Sequence, residues 1–263
     1  MGADCTPAAT APVVVVVAGT HRSGTSVTTG ILHRLGFAIG EPVMPPHPDN
    51  PTGYFENLRV VELHEEVFAE AGAKWFDLVD VWSLLDNQRR IHWSARAAAL
   101  LSELMQGADR FVLKDPRLVR LLPMWSLALA SLEADVRYVA TVRDPAEVAV
   151  SLHRRDGFDV SHGEALWNLD MDLVGRHLDG RATVVVYADV LEAPLQAARR
   201  LLDGIGVRGD PDDMEAAVQL VMPELNRSRF EVAGASQGLA TVVTAATAQR
   251  YRDLVASTRV ERA

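Results

Sequence analysis

Val13-Val-Val-Val-Val-Ala-Gly-Thr-His-Arg-Ser-Gly-Thr-Ser26 is the stretch that decides how this chain folds. Five consecutive β-branched residues suit a central parallel strand that is covered on both faces. The glycine-punctuated turn 19–26 follows, and then a helix running to about residue 35. Outward from this unit the same alternation recurs. Residues 110–113, 136–142 and 182–187 read as strands. Helical stretches follow at about 60–71, 94–106, 145–154, 163–178, 194–205 and 243–256, with a cap in Asp210-Pro-Asp212. Residues 40–54 contain five prolines and read as a long loop. Strands alternating with helices predict an α/β fold of three layers, a central parallel sheet flanked by helices. The expected organisation is a disordered leader over 1–12 and one domain over 13–263.

Composition narrows the function. With 48% hydrophobic and 23% charged residues, the 263-residue chain reads as a soluble globular enzyme. Its net charge of −9 argues against a broad basic surface for nucleic acid. Cys5 is the only cysteine, which excludes an internal disulfide and fits a reducing compartment. The apolar run 13–18 is too short for a signal-peptide core or a membrane span. A cytoplasmic location without stable membrane insertion is expected.

The loop carries the first chemistry. Gly19, Gly24 and Ser26 have the spacing of the nucleotide-binding loop GxxxxGK[ST], but Thr25 stands where that motif has lysine. Glycines let successive backbone N–H groups face one anion, and the helix dipole adds to the attraction. Without the lysine, ATP or GTP chemistry is disfavoured. The cation here is Arg22. The plainer alternative is a strand-to-helix turn with incidental glycines, against which stands the gathering of glycines, hydroxyls and a cation at one turn.

Arg143 supplies a second anchor, at the C-terminal end of the strand 136–142, the edge where open α/β sheets bind ligands. Ser151 follows eight residues later, about two helical turns along. Together they can grip a second phosphate. As a purely structural group, Arg143 would pair with Asp144 or Glu147.

These two motifs resemble those of the sulfotransferases that use 3′-phosphoadenosine 5′-phosphosulfate (PAPS). His21-Arg-Ser-Gly-Thr-Ser26 is similar to the family's 5′-phosphosulfate loop, in the RSGT form of the tyrosylprotein and carbohydrate enzymes. The resemblance implies that His21, Arg22, Ser23, Gly24, Thr25 and Ser26 hold the phosphosulfate, with Arg22 stabilising the bridging oxygen as it leaves. Arg143 and Ser151 resemble the 3′-phosphate motif. Val184-Val-Val-Tyr187 resembles the strand whose tyrosine lies near the adenine. Arg227, with Arg229, falls where a late loop closes over the 3′-phosphate, although the usual Arg-Lys-Gly is missing. Discontinuously, the resemblance runs from residue 13 to about 230. It implies no metal; a hydroxyl of a small-molecule or carbohydrate acceptor is expected, with a small secondary metabolite, a carbohydrate and a lipid head group all left open. The rival readings are a degenerate P-loop kinase or NTPase, and a non-catalytic nucleotide-binding module.

Transfer needs cations at the developing charge and a base for a hydroxyl acceptor. Lys114, in Lys114-Asp-Pro-Arg117, looks like the Lys-Asp-Pro segment of the tyrosylprotein enzymes; structurally, Lys114 and Arg117 would pair with Asp115. For the base, Glu56 stands first. Asn50-Pro-Thr-Gly-Tyr-Phe-Glu56 is similar to the Asn-Pro-x-Gly-x-Phe-Glu pattern of bacterial relatives, though a glutamate here also suits helix capping. Glu41 is the runner-up, and His47, Asp49 and Asp115 remain open. No histidine pair has metal-ligand spacing. Trp75 and Trp82 are candidates for an acceptor pocket.

Overall fold

The computed structural model describes residues 11–48, 50–226 and 242–260. Arg227, Arg229 and Asp49 lie outside the described residues. Among the described residues, four strands form one parallel sheet: β1 (Val13–Ala18), β2 (Arg110–Lys114), β3 (Asp135–Val142) and β4 (Ala182–Val186), in the order β2-β1-β3-β4. β1 is central, and the chain leaves it first for a neighbour on one side and then for one on the other. That reversal opens a crevice at the C-terminal edge of the sheet. The register places Val17 beside Lys114 and Val139. The loop after β1, the end of β2 and the Arg143 junction therefore emerge on one edge.

The valine run alternates between two cores. Val14 and Val16 face α2 (Leu58–Glu70), α3 (Asn87–Leu104) and α4 (Leu122–Ala130). Val15 and Val17 face α1 (Thr25–Arg34), α8 (Pro194–Gly204) and α9 (Pro211–Val218). Both sets are fully buried, which the two-residue period of a strand requires when helices cover both faces. α5 (Pro145–Asp156) and α6 (Val160–Leu178) pack together over Val142 through Val148, Leu152, Leu166 and Trp167. α7 (Tyr187–Glu192) links β4 to α8, and α10 (Ala245–Val260) packs by Tyr251 and Leu254 near the α5–α6 core. The three-layer arrangement of the sequence reading is present.

Three differences from the sequence reading stand out. α3 begins at Asn87 rather than near 94, because the Asp86 side chain caps it by accepting from the Arg89 N–H. β4 ends at Val186, so Tyr187 opens a helix instead of closing a strand. Between β2 and β3 lie a 3-10 turn, Pro116–Leu121, and α4. The sequence Leu122-Pro-Met-Trp-Ser-Leu-Ala-Leu-Ala130 has almost no polar face, so it carries little helical periodicity. Asp210 caps α9 as expected, accepting from the Asp212 N–H.

Candidate active site

The loop after β1 is held from beneath. A Cβ on Gly19 would lie 2.1 Å from Thr141 Oγ1, so only glycine lets the loop settle onto β3. Ser23 donates to the Thr20 carbonyl at 2.7 Å and shares a 2.8 Å hydrogen bond with Thr141 Oγ1. Arg22 takes φ 66° and Gly24 φ 95°, left-handed conformations that curl the backbone. For Arg22 such a conformation costs on the order of 1 kcal/mol, and strain of this kind gathers at functional sites. α1 then starts at Thr25, with no side chain capping its first turn, which leaves those N–H groups for an anion. Gly24 also packs on Tyr187, since a Cβ there would stand 2.4 Å from the ring.

Two arginines and a serine converge beside the loop. Arg22 Nε donates to Ser151 Oγ at 3.0 Å. Arg143, only 5% exposed, donates to the Arg22 carbonyl at 2.8 Å, to Glu147 at 2.9 Å and to Asn226 Oδ1 at 2.5 Å. Its guanidinium carbon lies 4.8 Å from the centre of the Tyr187 ring. Asp144 takes no part in this, because its carboxylate caps α5 at the Ala146 N–H. Thus Arg143 has Glu147 as its ion-pair partner and also reaches the loop.

Lys114 approaches the helix end of the loop from β2. Its Nζ donates to Ser26 Oγ at 3.0 Å, to the Tyr54 carbonyl at 2.9 Å and to Glu56 Oε1 at 2.5 Å. Phe55, at φ 55°, reverses the chain between those last two acceptors, so both face the same ammonium. Gly30 of α1 makes room for the Phe55 ring, which a Cβ would meet at 2.7 Å. A cation therefore sits beside Ser26 although Thr25 replaces the lysine of a nucleotide-binding loop. Lys114 does not pair with Asp115, and the physical reason is direction. Asp115 turns away to bind Arg117 at 2.7 Å and to face His64 at 3.5 Å. Nor does Glu56 cap α2; Asn57 does, accepting from Arg59 and Val60.

The two carboxyls are shifted in opposite directions. Burial pushes the Glu56 carboxyl above its usual range, with Lys114 pulling against it and Asp115 adding to the rise. Burial also works to raise Asp115, but His64 and Arg117 outweigh it and hold that carboxyl well below its ordinary value. Burial, reinforced by Arg155 and Arg117, holds the His21 imidazole well below its ordinary value, so His21 is neutral at physiological pH.

All of this opens on one cavity of about 420 Å³, within the range of small-ligand sites. Its lining includes His21, Arg22, Gly24, Thr25, Ser26, Glu56, Arg117, Arg143, Ser151 and Tyr187. Ser23 lies beneath the loop, fully buried, and Lys114 is buried behind Glu56. Glu41 is exposed and accepts a hydrogen bond from the Val43 N–H, away from the cavity lining. His47 pairs through its backbone with Asn50. Trp75 lines the cavity with its ring centre 4.2 Å from that of His21, whereas Trp82 belongs to the core. Sequence reasoning missed Tyr54, Arg155 and Asn226: the first depends on the Phe55 reversal, the second on the length of α5, and the third on the 3-10 turn Pro223–Leu225 that it follows. Among the described residues no group of His, Cys, Asp or Glu is arranged to hold a metal ion. No helix among them is long and apolar enough to cross a membrane.

A sequence model described as the Sulfotransferase family matches residues 12–212. The chain belongs to the sulfotransferase family. The matched span carries the loop, Glu56, Lys114, Arg143, Ser151 and Tyr187. Among solved structures, the sulfotransferase resembles the sulfotransferase domain of the Synechococcus PCC 7002 olefin synthase at 15% identity. The TM-score is 0.55, over 95% of this chain and 97% of that one. It also resembles the sulfotransferase domain from the curacin biosynthetic pathway, again at 15% identity, with a TM-score of 0.50 over 93% and 98%. At such identity the likeness is one of fold, the P-loop-like arrangement of sheet and helices. No curated protein matches the chain by sequence.

Proposed function

We propose that this sulfotransferase takes its sulfuryl group from PAPS and delivers it to a hydroxyl of a small-molecule or carbohydrate acceptor. The observation that carries this reading is the shared cavity. The uncapped start of α1 and the Arg143–Ser151 pair face one space, with Glu56 on its wall and Lys114 behind it. Two separate anion grips suit a nucleotide with phosphates at both its 5′ and 3′ positions.

In this reading the loop N–H groups and the hydroxyls of Thr25 and Ser26 hold the 5′-phosphosulfate, while the Ser23 hydroxyl, turned beneath the loop onto Thr20 and Thr141, braces it. Arg143 and Ser151 hold the 3′-phosphate, joined by Arg227, and Tyr187 lies beside the adenine. The acceptor oxygen attacks sulfur in line, and the bond from sulfur to the bridging oxygen breaks. Arg22 meets the charge that gathers on that oxygen, exchanging its contact with Ser151 for the donor. Lys114, buried behind Glu56 with its three N–H bonds given to Ser26, Tyr54 and Glu56, acts through Ser26 and Glu56 by holding both at the cavity. Glu56 accepts the acceptor proton, for which its raised pKa makes it a stronger base than an ordinary carboxylate. 3′-Phosphoadenosine 5′-phosphate leaves. The whole reaction depends on positioning and fixed charge, as phosphoryl transfer does.

The test is mass spectrometry of an acceptor panel of phenols, sugars and alcohols incubated with ³⁴S-labelled PAPS. The expected result is one labelled sulfate ester per accepted hydroxyl, lost with Glu56→Gln. Tight donor binding with no transfer across the panel would favour a non-catalytic module. Magnesium-dependent use of ATP would favour a kinase.

A further inference from the structure

Arg120 is a buried cation that the transfer chemistry leaves unused, at 2% exposure in the turn just beyond Lys114. Its Nε donates to Asp170 of α6, itself 3% exposed. Its Nη1 donates to two backbone carbonyls, of Asp77 at 2.9 Å and Val79 at 3.0 Å. Those carbonyls belong to residues 74–80, which form neither helix nor strand. Trp75 stands at the start of that segment, on the cavity wall against His21. The Thr20 side chain approaches the Asp170 carboxyl and counters part of the rise that burial imposes on it, and Thr20 directly precedes His21 in the phosphate loop.

The contacts close a ring. From Thr20 the chain leads to His21, whose imidazole packs on Trp75; two residues on, the Asp77 carbonyl meets Arg120, and Arg120 meets Asp170, which returns to Thr20. A buried ion pair is a poor source of net stability, since apolar side chains of similar volume often do as well. What an arginine adds is geometry, because its planar fork serves a carboxylate and a pair of carbonyls at once. Without Arg120, both carbonyls would lose the buried donor that now satisfies them. The segment's other ties run to different elements: His162 to the Phe76 carbonyl at 2.9 Å, Arg176 to Asp80 at 3.1 Å, and Trp75 and Phe76 packed on Phe158.

We infer that Arg120 and Asp170 are a positioning pair that locks the Trp75 wall to the phosphate loop. Whereas Arg22 reaches towards Ser151 and the nucleotide, its neighbour His21 packs on Trp75. The pair thereby sets the spacing between donor and acceptor. This role in transfer rests on the proposed sulfuryl chemistry, while the mechanical lock does not. Because a displacement of about 1 Å can cost roughly 100-fold in rate, a fixed wall matters more than a stable one.

The test uses the full chain labelled with 5-fluorotryptophan, with the Trp75 ¹⁹F resonance assigned by Trp75→Phe. Two variants are compared with the unsubstituted protein: Thr20→Val, and the volume-matched double change Arg120→Met with Asp170→Leu. The expected result is a Trp75 resonance that moves or broadens in both variants, and a reduced response of that resonance to added 3′-phosphoadenosine 5′-phosphate. In the double variant the affinity for that nucleotide stays near normal, while transfer falls by about 10- to 100-fold. Arg120→Lys, which keeps the charge, should restore part of the Trp75 signal, and it decides the matter if the double variant does not fold. An unchanged Trp75 resonance in every folded variant overturns the inference. Should the nucleotide bind none of the proteins, the function proposal fails, and the resonance of the free variants still decides the positioning role.

Discussion

Replacing Lys114 by methionine removes the cation from a pair whose side chains are 0% and 6% exposed. Glu56 is then left with Arg117 at 3.8 Å as its nearest opposite charge. Removing one partner of a buried pair costs about 3–5 kcal/mol, and the remaining arginine favours the low end, about 3 kcal/mol. Loss of the ammonium pushes the Glu56 carboxyl further above its usual range. The sign follows from linkage. A carboxyl whose folded pKa lies above its unfolded value destabilises the fold at high pH, and the deficit fades as pH falls through the folded pKa. Urea melts of Lys114→Met from pH 8 down to pH 5 should therefore show a deficit that shrinks with acid. The double variant Lys114→Met/Glu56→Gln should recover much of the loss at pH 8, since the hydrogen bonds to Ser26 and Tyr54 are absent from both proteins. A deficit that is independent of pH and equal in the single and double variants would refute the coupling of Lys114 to Glu56.

Arg143→Ala should weaken binding of 3′-phosphoadenosine 5′-phosphate by about 2–4 kcal/mol in calorimetry, as expected for loss of a desolvated charge partner. Ser151→Ala should cost roughly 1 kcal/mol in the same assay, the worth of one hydrogen bond. Arg22→Ala should lower turnover by about 10²–10³ at saturating donor; a loss of affinity with turnover intact would make Arg22 a phosphate clamp only. Glu56→Gln should cut transfer by roughly 10²–10⁴ while sparing donor binding, and should flatten the acidic limb of the pH–rate profile. In the unsubstituted enzyme that limb should lie above the ordinary glutamate range, because burial raises the Glu56 carboxyl. Full turnover in Glu56→Gln with loss in Glu41→Gln would move the base to Glu41.

What could be read from the sequence was what local chemistry dictates. The valine run, the Gly19–Ser26 spacing and an arginine ending β3 each carry their meaning within a few residues, so sheet, loop and the Arg143 junction were legible. The Lys114–Glu56 contact was not, because it spans 58 residues and depends on the left-handed turn at Phe55, which no residue type announces. Lys114 stands next to Asp115 in sequence, and proximity along the chain suggested the wrong partner. α4 escaped notice because its outer face, Pro123, Ser126, the exposed Leu127 and Ala130, is nearly all apolar or small, so it lacks the polar stripe that marks amphipathic helices. The Thr20–Asp170–Arg120 ring joins four separate segments, and none of its members is unusual in its own stretch of sequence.

The most direct test of the central claim compares two ligands that differ only in a 3′-phosphate. Calorimetric titration of the metal-free protein with 3′-phosphoadenosine 5′-phosphate and with adenosine 5′-monophosphate should show the first binding at least about 30-fold more tightly, the low end of the loss expected for Arg143→Ala. In Arg143→Ala that advantage should collapse. Equal affinity for the two nucleotides in the unsubstituted protein would contradict the assignment of Arg143 and Ser151 to the 3′-phosphate, and with it the choice of PAPS as donor.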